Sequence, residues 1–203
     1  MMTSRDDFVH ECIASQHSLL TWLHSLGDVE VTQPSLLPNW TVGHVLTHIA
    51  RNAEGCRHML YGGAMYPGGV PQRNADIEAG AVRGFAEQVA HIDATATDFE
   101  RTLLTLTDEQ WGGQASGPFG VITVESVPLR RWREVEVHRM DAGLGCTWRD
   151  IPQTWVAADL GVRRSAFGQA IPADVAALGD KAELAWLFSR PVGDTITPPP
   201  AWF

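Results

Sequence analysis

Apolar residues recur every three or four positions along much of this chain, a spacing typical of α-helices with one buried face. The pattern predicts four long helices, at residues 5–26, 42–60, 74–105 and 125–142. Gly27 ends the first helix, and Thr41 is a favourable N-cap for the second. Gly80 and Gly84 are points at which the third helix bends, and Pro128 is tolerated in the first turn of the fourth.

The stretches between and after these helices are shorter and less regular. Residues 61–72 are rich in glycine and proline, which indicates a loop of the kind that often binds ligands. Residues 107–123 are rich in turn-forming residues, and residues 121–124 fit a short extended piece. Beyond residue 145 the pattern predicts a helix from about 151 to 167, a strand at 175–178, a helix at 181–189 and an extended tail from 195.

These elements predict a mainly α protein. Four long helices joined by loops favour an up-down four-helix bundle, which we place at residues 1–147. Residues 148–203 would form a small α+β appendage. The core of such a bundle is a usual place for a metal site built from facing helices.

Composition and charge exclude some classes of binding partner for this protein. The chain has 203 residues, of which 44% are hydrophobic, enough for a folded core. Its formal net charge of −9 argues against binding to nucleic acid or to an anionic membrane surface. No apolar run approaches the roughly 18 residues of a membrane span, and no N-terminal secretory signal is recognisable. We therefore expect a cytoplasmic protein with no nucleic-acid or membrane partner.

The cysteines give a weaker signal. Cys12, Cys56 and Cys146 are an odd, widely spaced set with no C-x-x-C pair, which favours reduced thiols in a cytosolic protein. A cysteine nucleophile is the alternative, but none of the three lies in a recognisable activating sequence.

Glu134 and His138 are candidate metal ligands on the fourth predicted helix. They are four residues apart, so they share one helical face with their Cβ atoms roughly 5–6 Å apart. His48 can supply a third ligand if the second and fourth helices face each other, and His44 forms a two-histidine face with it. Two imidazoles and a carboxylate suit Zn²⁺ with an open position, while Fe²⁺, Ni²⁺ and Mn²⁺ also accept this set. The same spacing also occurs as ordinary contacts on exposed helices.

Two segments resemble the mycothiol-dependent maleylpyruvate isomerase family, whose members have a DinB-like four-helix bundle. Residues 40–53 are similar to its W-T-x-x-H-x-x-x-H-x-A-x-N-A segment, and residues 133–143 to its R-E-V-x-x-H-x-x-D-x-G segment. Arg73 and Asn74 resemble an R-N pair at the end of the family's mobile loop, and residues 199–203 resemble its P-P-x-W ending. The similarity extends in order over most of residues 5–145.

The resemblance implies a ligand set and a reaction. His48, Glu134 and His138 would bind Zn²⁺, with His48 rather than His44 as the histidine from the second helix. Mycothiol would be the thiol cofactor, held by zinc as a thiolate. The thiolate adds to a cis double bond conjugated to a carbonyl, the resulting single bond rotates, and elimination leaves the trans isomer.

Further residues are assigned on the same basis. We predict Arg73 and Arg190 as the catalytic residues that bind an anionic substrate, because guanidinium groups bind carboxylates bidentately. Arg190 resembles a family arginine in the C-terminal region. Arg73, Asn74 and His44 are assigned to cofactor binding, and Asp141 is expected to support His138 or a neighbouring arginine.

The C-terminal region departs from the family pattern. Family members carry a longer α+β domain after the bundle than residues 148–203 provide. A short cap is compatible with a bulkier substrate, with a homodimer, or with a different thiol-transfer reaction. Two alternatives therefore stay open: a mycothiol S-transferase acting on another electrophile, and a non-catalytic metal-binding module whose site is closed by His44.

Overall fold

The structure is a computed structural model that describes residues 4–199. The P-P-x-W ending and the last residues of the extended tail, at 200–203, therefore lie outside the described residues. The chain divides into two compact units, Ser4–Gly143 and the segment from Leu144 onward. Within residues 4–199 no helix is both long enough and apolar enough to cross a membrane.

Four long helices build the first unit. Its helices are α1 (Arg5–Ser25), α2 (Val42–Leu60), α3 (Gly69–Gly80), α4 (Phe85–Thr105), α5 (Asp108–Trp111) and α6 (Val127–Asp141), with strands β1 (Gln114–Gly117) and β2 (Gly120–Thr123) before α6. Helices α1 and α2 each pack against both α4 and α6. Large apolar side chains such as Leu19, Phe99 and Trp132 fill the space between them. This arrangement confirms the predicted mainly helical four-helix bundle.

The single helix predicted at residues 74–105 is wrong, because the structure contains two helices there. α3 begins at Gly69, inside the predicted loop, and the chain breaks between Gly80 and Phe85. The buried side chain of Gln88 stabilises this break, since its Nε2 donates to the carbonyl of Gly80 at 2.9 Å and to that of Gly43 at 3.3 Å. Val82 lies in the break and is 78% exposed.

A small hairpin connects the bundle to the glycine-rich loop. β1 and β2 pair antiparallel, and Ala64 of the loop forms a parallel bridge with Ser116 of β1. The extended piece predicted at residues 121–124 is confirmed as part of β2, one residue earlier.

The second unit is helical. It contains α7 (Gln153–Phe167), α8 (Ala173–Ala177) and α9 (Asp180–Leu187), and α9 packs against α7 and α8. The strand predicted at residues 175–178 is wrong, and the described residues after Leu144 contain no strand. Alanine, the best helix former, occupies three of the five positions of α8, and Asp174 in its first turn suits the positive end of the helix dipole.

Candidate metal centre

Three side chains from two helices of the bundle converge on one point. Nε2 of His48 on α2 lies 3.0 Å from Oε2 of Glu134 and 3.0 Å from Nε2 of His138, both on α6. The third edge, from His138 Nε2 to Glu134 Oε2, is 3.4 Å. Histidine, cysteine and acidic side chains are the usual metal ligands. Among residues 4–199, these three are the ones whose donor atoms lie close enough together to hold a metal ion. The structure thus brings together the three residues proposed from the sequence as ligands.

The spacing of these atoms fits a small divalent cation. A tetrahedral ion bound at about 2.0–2.1 Å separates its ligand atoms by about 3.3 Å, close to the edges of this triangle. Two nitrogens and one oxygen match the donor preference of zinc and of several neighbouring transition metals. Three protein donors leave a further coordination position for another ligand.

Asp141 fixes the orientation of the His138 ring. Its buried Oδ2 lies 2.8 Å from Nδ1 of His138, one helical turn earlier on α6. Asp141 is itself anchored, because its backbone carbonyl accepts a hydrogen bond from Leu36 at 2.9 Å. A carboxylate at Nδ1 keeps a proton there and leaves the lone pair of Nε2 for a metal.

The ionisation of the triad is strongly perturbed. Burial and, to a smaller extent, the neighbouring charge of His138 together lower the pKa of His48 to about 4. Burial also opposes the charged form of His138, but the hydrogen bonds to Asp141 and Glu134 outweigh it and raise the pKa to about 9. Burial acts against ionised Glu134 as well, yet its hydrogen bonds to His138 and His48 hold its pKa well below the usual range. A carboxylate, a neutral imidazole and an exchangeable proton therefore share this site.

The start of α2 explains the position of His44. Thr41 caps the helix, and Nδ1 of His44 lies 2.8 Å from the Thr41 hydroxyl and accepts from the Thr41 backbone N–H at 3.2 Å. Its Nε2 lies 3.2 Å from Oε2 of Glu78. Both ring nitrogens of His44 are therefore engaged outside the triad, and its assignment to cofactor binding stays a prediction.

Trp40 forms one wall of the centre. Its ring meets the ring of His48 edge-on at a centroid distance of 5.6 Å and stacks on that of His44 at 6.1 Å. Asn39, with φ of 63°, makes the left-handed turn that precedes it, a conformation that asparagine tolerates better than most residues. Sequence reasoning assigned Trp40 no role in the site, although it is the first residue of the W-T-x-x-H segment.

Arg73 reaches the centre from α3. Its Nη2 lies 3.0 Å from Nδ1 of His48, and its Nη1 donates to Oδ1 of Asn74 at 3.0 Å. The guanidinium also lies over the rings of Trp40 and Tyr66, at 5.7 and 5.9 Å from their centroids. Tyr66 was missed from the sequence because it lies in the glycine-rich loop, where no periodicity singles it out. Arg73 therefore lies beside the triad and Asn74 contacts Arg73, while the assignment of both residues to cofactor binding stays a prediction.

A cavity of about 80 Å³ adjoins this arginine. Arg73 and Tyr66 line it together with Arg51, His58 and Gln72. Apolar side chains such as Met65 also line it, so charged and apolar groups share the wall.

Arg190 belongs to the second unit. Its side chain is 7% exposed, and its Nη1 donates to the carbonyl of Phe188 at 2.5 Å. Its role as a substrate-binding residue stays a prediction.

Two of the cysteines lie in the bundle core. Cys12 and Cys56 are buried, and burial raises the pKa of Cys56 to about 12 and that of Cys12 still further above its ordinary value. Thiols in this environment stay protonated near neutral pH, which argues against either as a nucleophile.

The fold is a four-helix bundle, and two histidines and one glutamate from two of its helices converge on one point. These features place the protein in the class of helical bundles with a candidate metal centre. Within that class the chain belongs to the family of the mycothiol maleylpyruvate isomerase N-terminal domain, whose sequence profile matches residues 13–143. The family resemblance inferred from the sequence is thereby confirmed. No curated protein matches the chain.

Solved structures show the same fold. The crystal structure of the mycothiol-dependent maleylpyruvate isomerase superposes with a TM-score of 0.74 at 18% identity, over 83% of this chain and 74% of that one. A histidine-to-alanine mutant of such an isomerase gives a TM-score of 0.71 at 18% identity, over 76% of this chain and 67% of that one. At this identity the similarity concerns the fold.

Proposed function

We propose that this protein is a zinc-dependent cis–trans isomerase that uses mycothiol and acts on an anionic substrate of the maleylpyruvate type. Membership of the family supports an enzyme of this kind. One structural observation carries the proposal: three donor atoms of His48, Glu134 and His138 form a triangle with edges of 3.0, 3.0 and 3.4 Å that fits a metal with an open position.

Several side chains determine the charge, the proton positions and the solvent access of this centre. A bound zinc ion would supply a positive charge beside which a thiol loses its proton readily. Glu134 contributes the negative charge of the ligand set, and Asp141 keeps the proton of His138 on Nδ1. Trp40 covers one side of His48, which limits the access of water from that direction.

Arg73 is the candidate partner for a substrate carboxylate. An arginine only donates hydrogen bonds, so its contact with Nδ1 of His48 requires that this nitrogen carry no proton. When Nε2 of His48 serves as a ligand, the ring proton is on Nδ1 and that contact is lost. The guanidinium is then available to a carboxylate, while Asn74 still holds its other edge. The assignment of Arg190 to carboxylate binding rests on the family resemblance and stays a prediction.

An open metal position favours catalysis over a structural site. The alternative of a non-catalytic module needs a fourth protein ligand, and His44 was the candidate. Its two ring nitrogens are instead engaged by Thr41 and Glu78. This observation favours the enzyme.

Metal analysis of the purified protein tests the first part of the proposal. Zinc should be present at about one ion per chain, and His48→Ala and Glu134→Ala should each lose it, because two donors do not form a stable site. His44→Ala is the matched control on α2 and should retain the metal. Retention of zinc by both ligand variants would contradict the proposal.

Turnover tests the second part. The protein with mycothiol should convert maleylpyruvate to its trans isomer without net consumption of thiol. Consumption of one thiol per electrophile, with a conjugate as product, would instead identify a mycothiol S-transferase built on the same centre.

A further inference from the structure

Arg131 is a fully buried charged residue in the bundle core. It lies on α6 with 0% exposure, and none of its described contacts is an ion pair with a carboxylate. Its Nη2 is also buried and has no hydrogen-bond partner within residues 4–199. Burying a charge without a counter-ion is unfavourable, and an apolar side chain of similar volume often gives a more stable core.

The hydrogen bonds of Arg131 connect three helices. Its Nε donates to Oε1 of Gln16 on α1 at 3.0 Å. Its Nη1 donates to the backbone carbonyl of Ile49 at 2.8 Å and to Oδ1 of Asn52 at 3.0 Å, both on α2. The planar guanidinium holds these partners in a fixed geometry, which a lysine cannot reproduce.

The α2 contacts lie next to the candidate metal ligands. Arg131 precedes Glu134 by three residues on α6, and Ile49 directly follows His48 on α2. Arg131 therefore joins the two ligand-bearing helices within one turn of the ligands on each. A shift of either helix would change the distances of 3.0 Å that separate His48 from Glu134 and His138.

We propose that Arg131 is a positioning residue that sets the spacing between α2 and α6, so that His48 meets Glu134 and His138 at metal-binding distance. This inference rests on the proposed function, because it assigns Arg131 a role in the metal centre. It also gives a reason for an unpaired buried charge that packing alone does not explain.

Metal affinity of the full-length protein is the decisive measurement. Zinc dissociation constants are obtained by competition with a chromophoric chelator, and cobalt substitution reports the ligand geometry through its visible absorption. Arg131→Lys and Arg131→Met should bind zinc roughly 10- to 100-fold more weakly, the usual effect of removing a residue that orients ligands. The cobalt spectrum of the same variants should change in shape.

Matched variants separate positioning from general stability. Glu136→Gln alters another buried polar residue of α6, whose carboxylate accepts from Ser15 on α1 at 2.6 Å and which has no described hydrogen bond to α2. Gln16→Ala removes the α1 partner of Arg131, and Asn52→Ala removes a partner on α2. Zinc affinity should fall in Asn52→Ala and stay within about twofold of wild type in Glu136→Gln and Gln16→Ala.

The outcomes are distinguishable. If the wild-type protein binds no zinc, the proposed function fails together with this inference. If wild type binds zinc and the folded Arg131 variants bind it equally well, only the inference fails, and Arg131 has a structural role alone. If Arg131→Met does not fold, the contrast between Asn52→Ala and Gln16→Ala decides, and equal zinc affinities in these two variants would overturn the proposal.

Discussion

Single hydrogen bonds decide which atoms of the candidate centre are available to a metal. His138 presents Nε2 to the other ligands because Asp141 accepts a hydrogen bond from its Nδ1 at 2.8 Å. The geometry therefore depends on a residue that contributes no ligand atom itself.

Replacing Asp141 by asparagine should weaken metal binding. The side-chain amide can donate to Nδ1 of His138, which favours the tautomer with its proton on Nε2 and blocks the ligand atom. We expect zinc affinity to fall roughly 10- to 100-fold by chelator competition. Asp98→Asn, which alters only an exposed pair with Arg101, is the control and should not change the affinity.

Removing Arg73 should impair substrate binding without loss of the metal. Truncating one partner of a desolvated charge pair costs about 2 kcal/mol or more, roughly a thirtyfold rise in KM for a carboxylate substrate. The zinc content of Arg73→Ala should equal that of wild type, because Arg73 supplies no ligand atom. Steady-state kinetics and metal analysis on the same sample check both statements, and an unchanged KM would remove Arg73 from the substrate site.

Local sequence features predict the bounds of some helices better than those of others. The predicted bounds of α2, Val42–Leu60, are confirmed, because Thr41 forms a capping box with His44 and the buried stripe is continuous. The third predicted helix failed at Gly80–Gly84. Two glycines there were interpreted as a bend, whereas the chain stops and restarts, since the Gln88 side chain satisfies the carbonyl of Gly80.

Gly43 shows how closely this break packs on α2. A Cβ at this position would lie 2.0 Å from the carbonyl oxygen of Ala81, a backbone atom that cannot move aside alone. Gly43→Ala should therefore lower the free energy of unfolding by about 1–3 kcal/mol, measured by chemical denaturation. Gly161→Ala is the matched control: its Cβ meets nothing within 4 Å on the exposed side of α7, and we expect a gain of up to about 1 kcal/mol.

The pH dependence of stability belongs to the molecule as a whole. In the metal-free protein the folded state raises the pKa of His138 to about 9 from an ordinary value of 6.5. Protonated His138 therefore stabilises the folded state fully below pH 6.5, and this stabilisation is lost as pH rises towards 9. His48, with its pKa lowered to about 4, has the opposite effect, and stability is lost as pH falls from 6.5 towards 4.

Denaturant unfolding in the presence of a chelator should thus give maximal stability near pH 6.5. With saturating zinc the decline above pH 6.5 should disappear, because the metal replaces the extra proton of His138, and the folded and unfolded states then bind equal numbers of protons at this residue. A metal-free protein whose stability is flat between pH 6.5 and 9 would show that His138 carries no extra proton in the folded state. His138→Gln should abolish the decline above pH 6.5.

Much of the architecture was readable from the chain. Periodic apolar residues predicted the bundle helices, and the two motifs around His48 and Glu134 predicted the family that the sequence profile confirms. The short elements were harder, because α8 and the α3–α4 break have too few residues for a period to be distinguished from propensity. Arg131 carried no signal at all, since an arginine on a polar helix is usually solvent-exposed.

The sequence by itself determined that Glu134 and His138 are candidate metal ligands, since helical spacing places them on one face without help from the rest of the fold. Only the tertiary structure decided that His48, 86 residues from Glu134, lies 3.0 Å from it. The tertiary structure also directs His44 towards Glu78 and places Arg73 against His48. The physical reason is that helical periodicity specifies contacts within one turn, whereas the distance between helices depends on the packing of side chains from all of them.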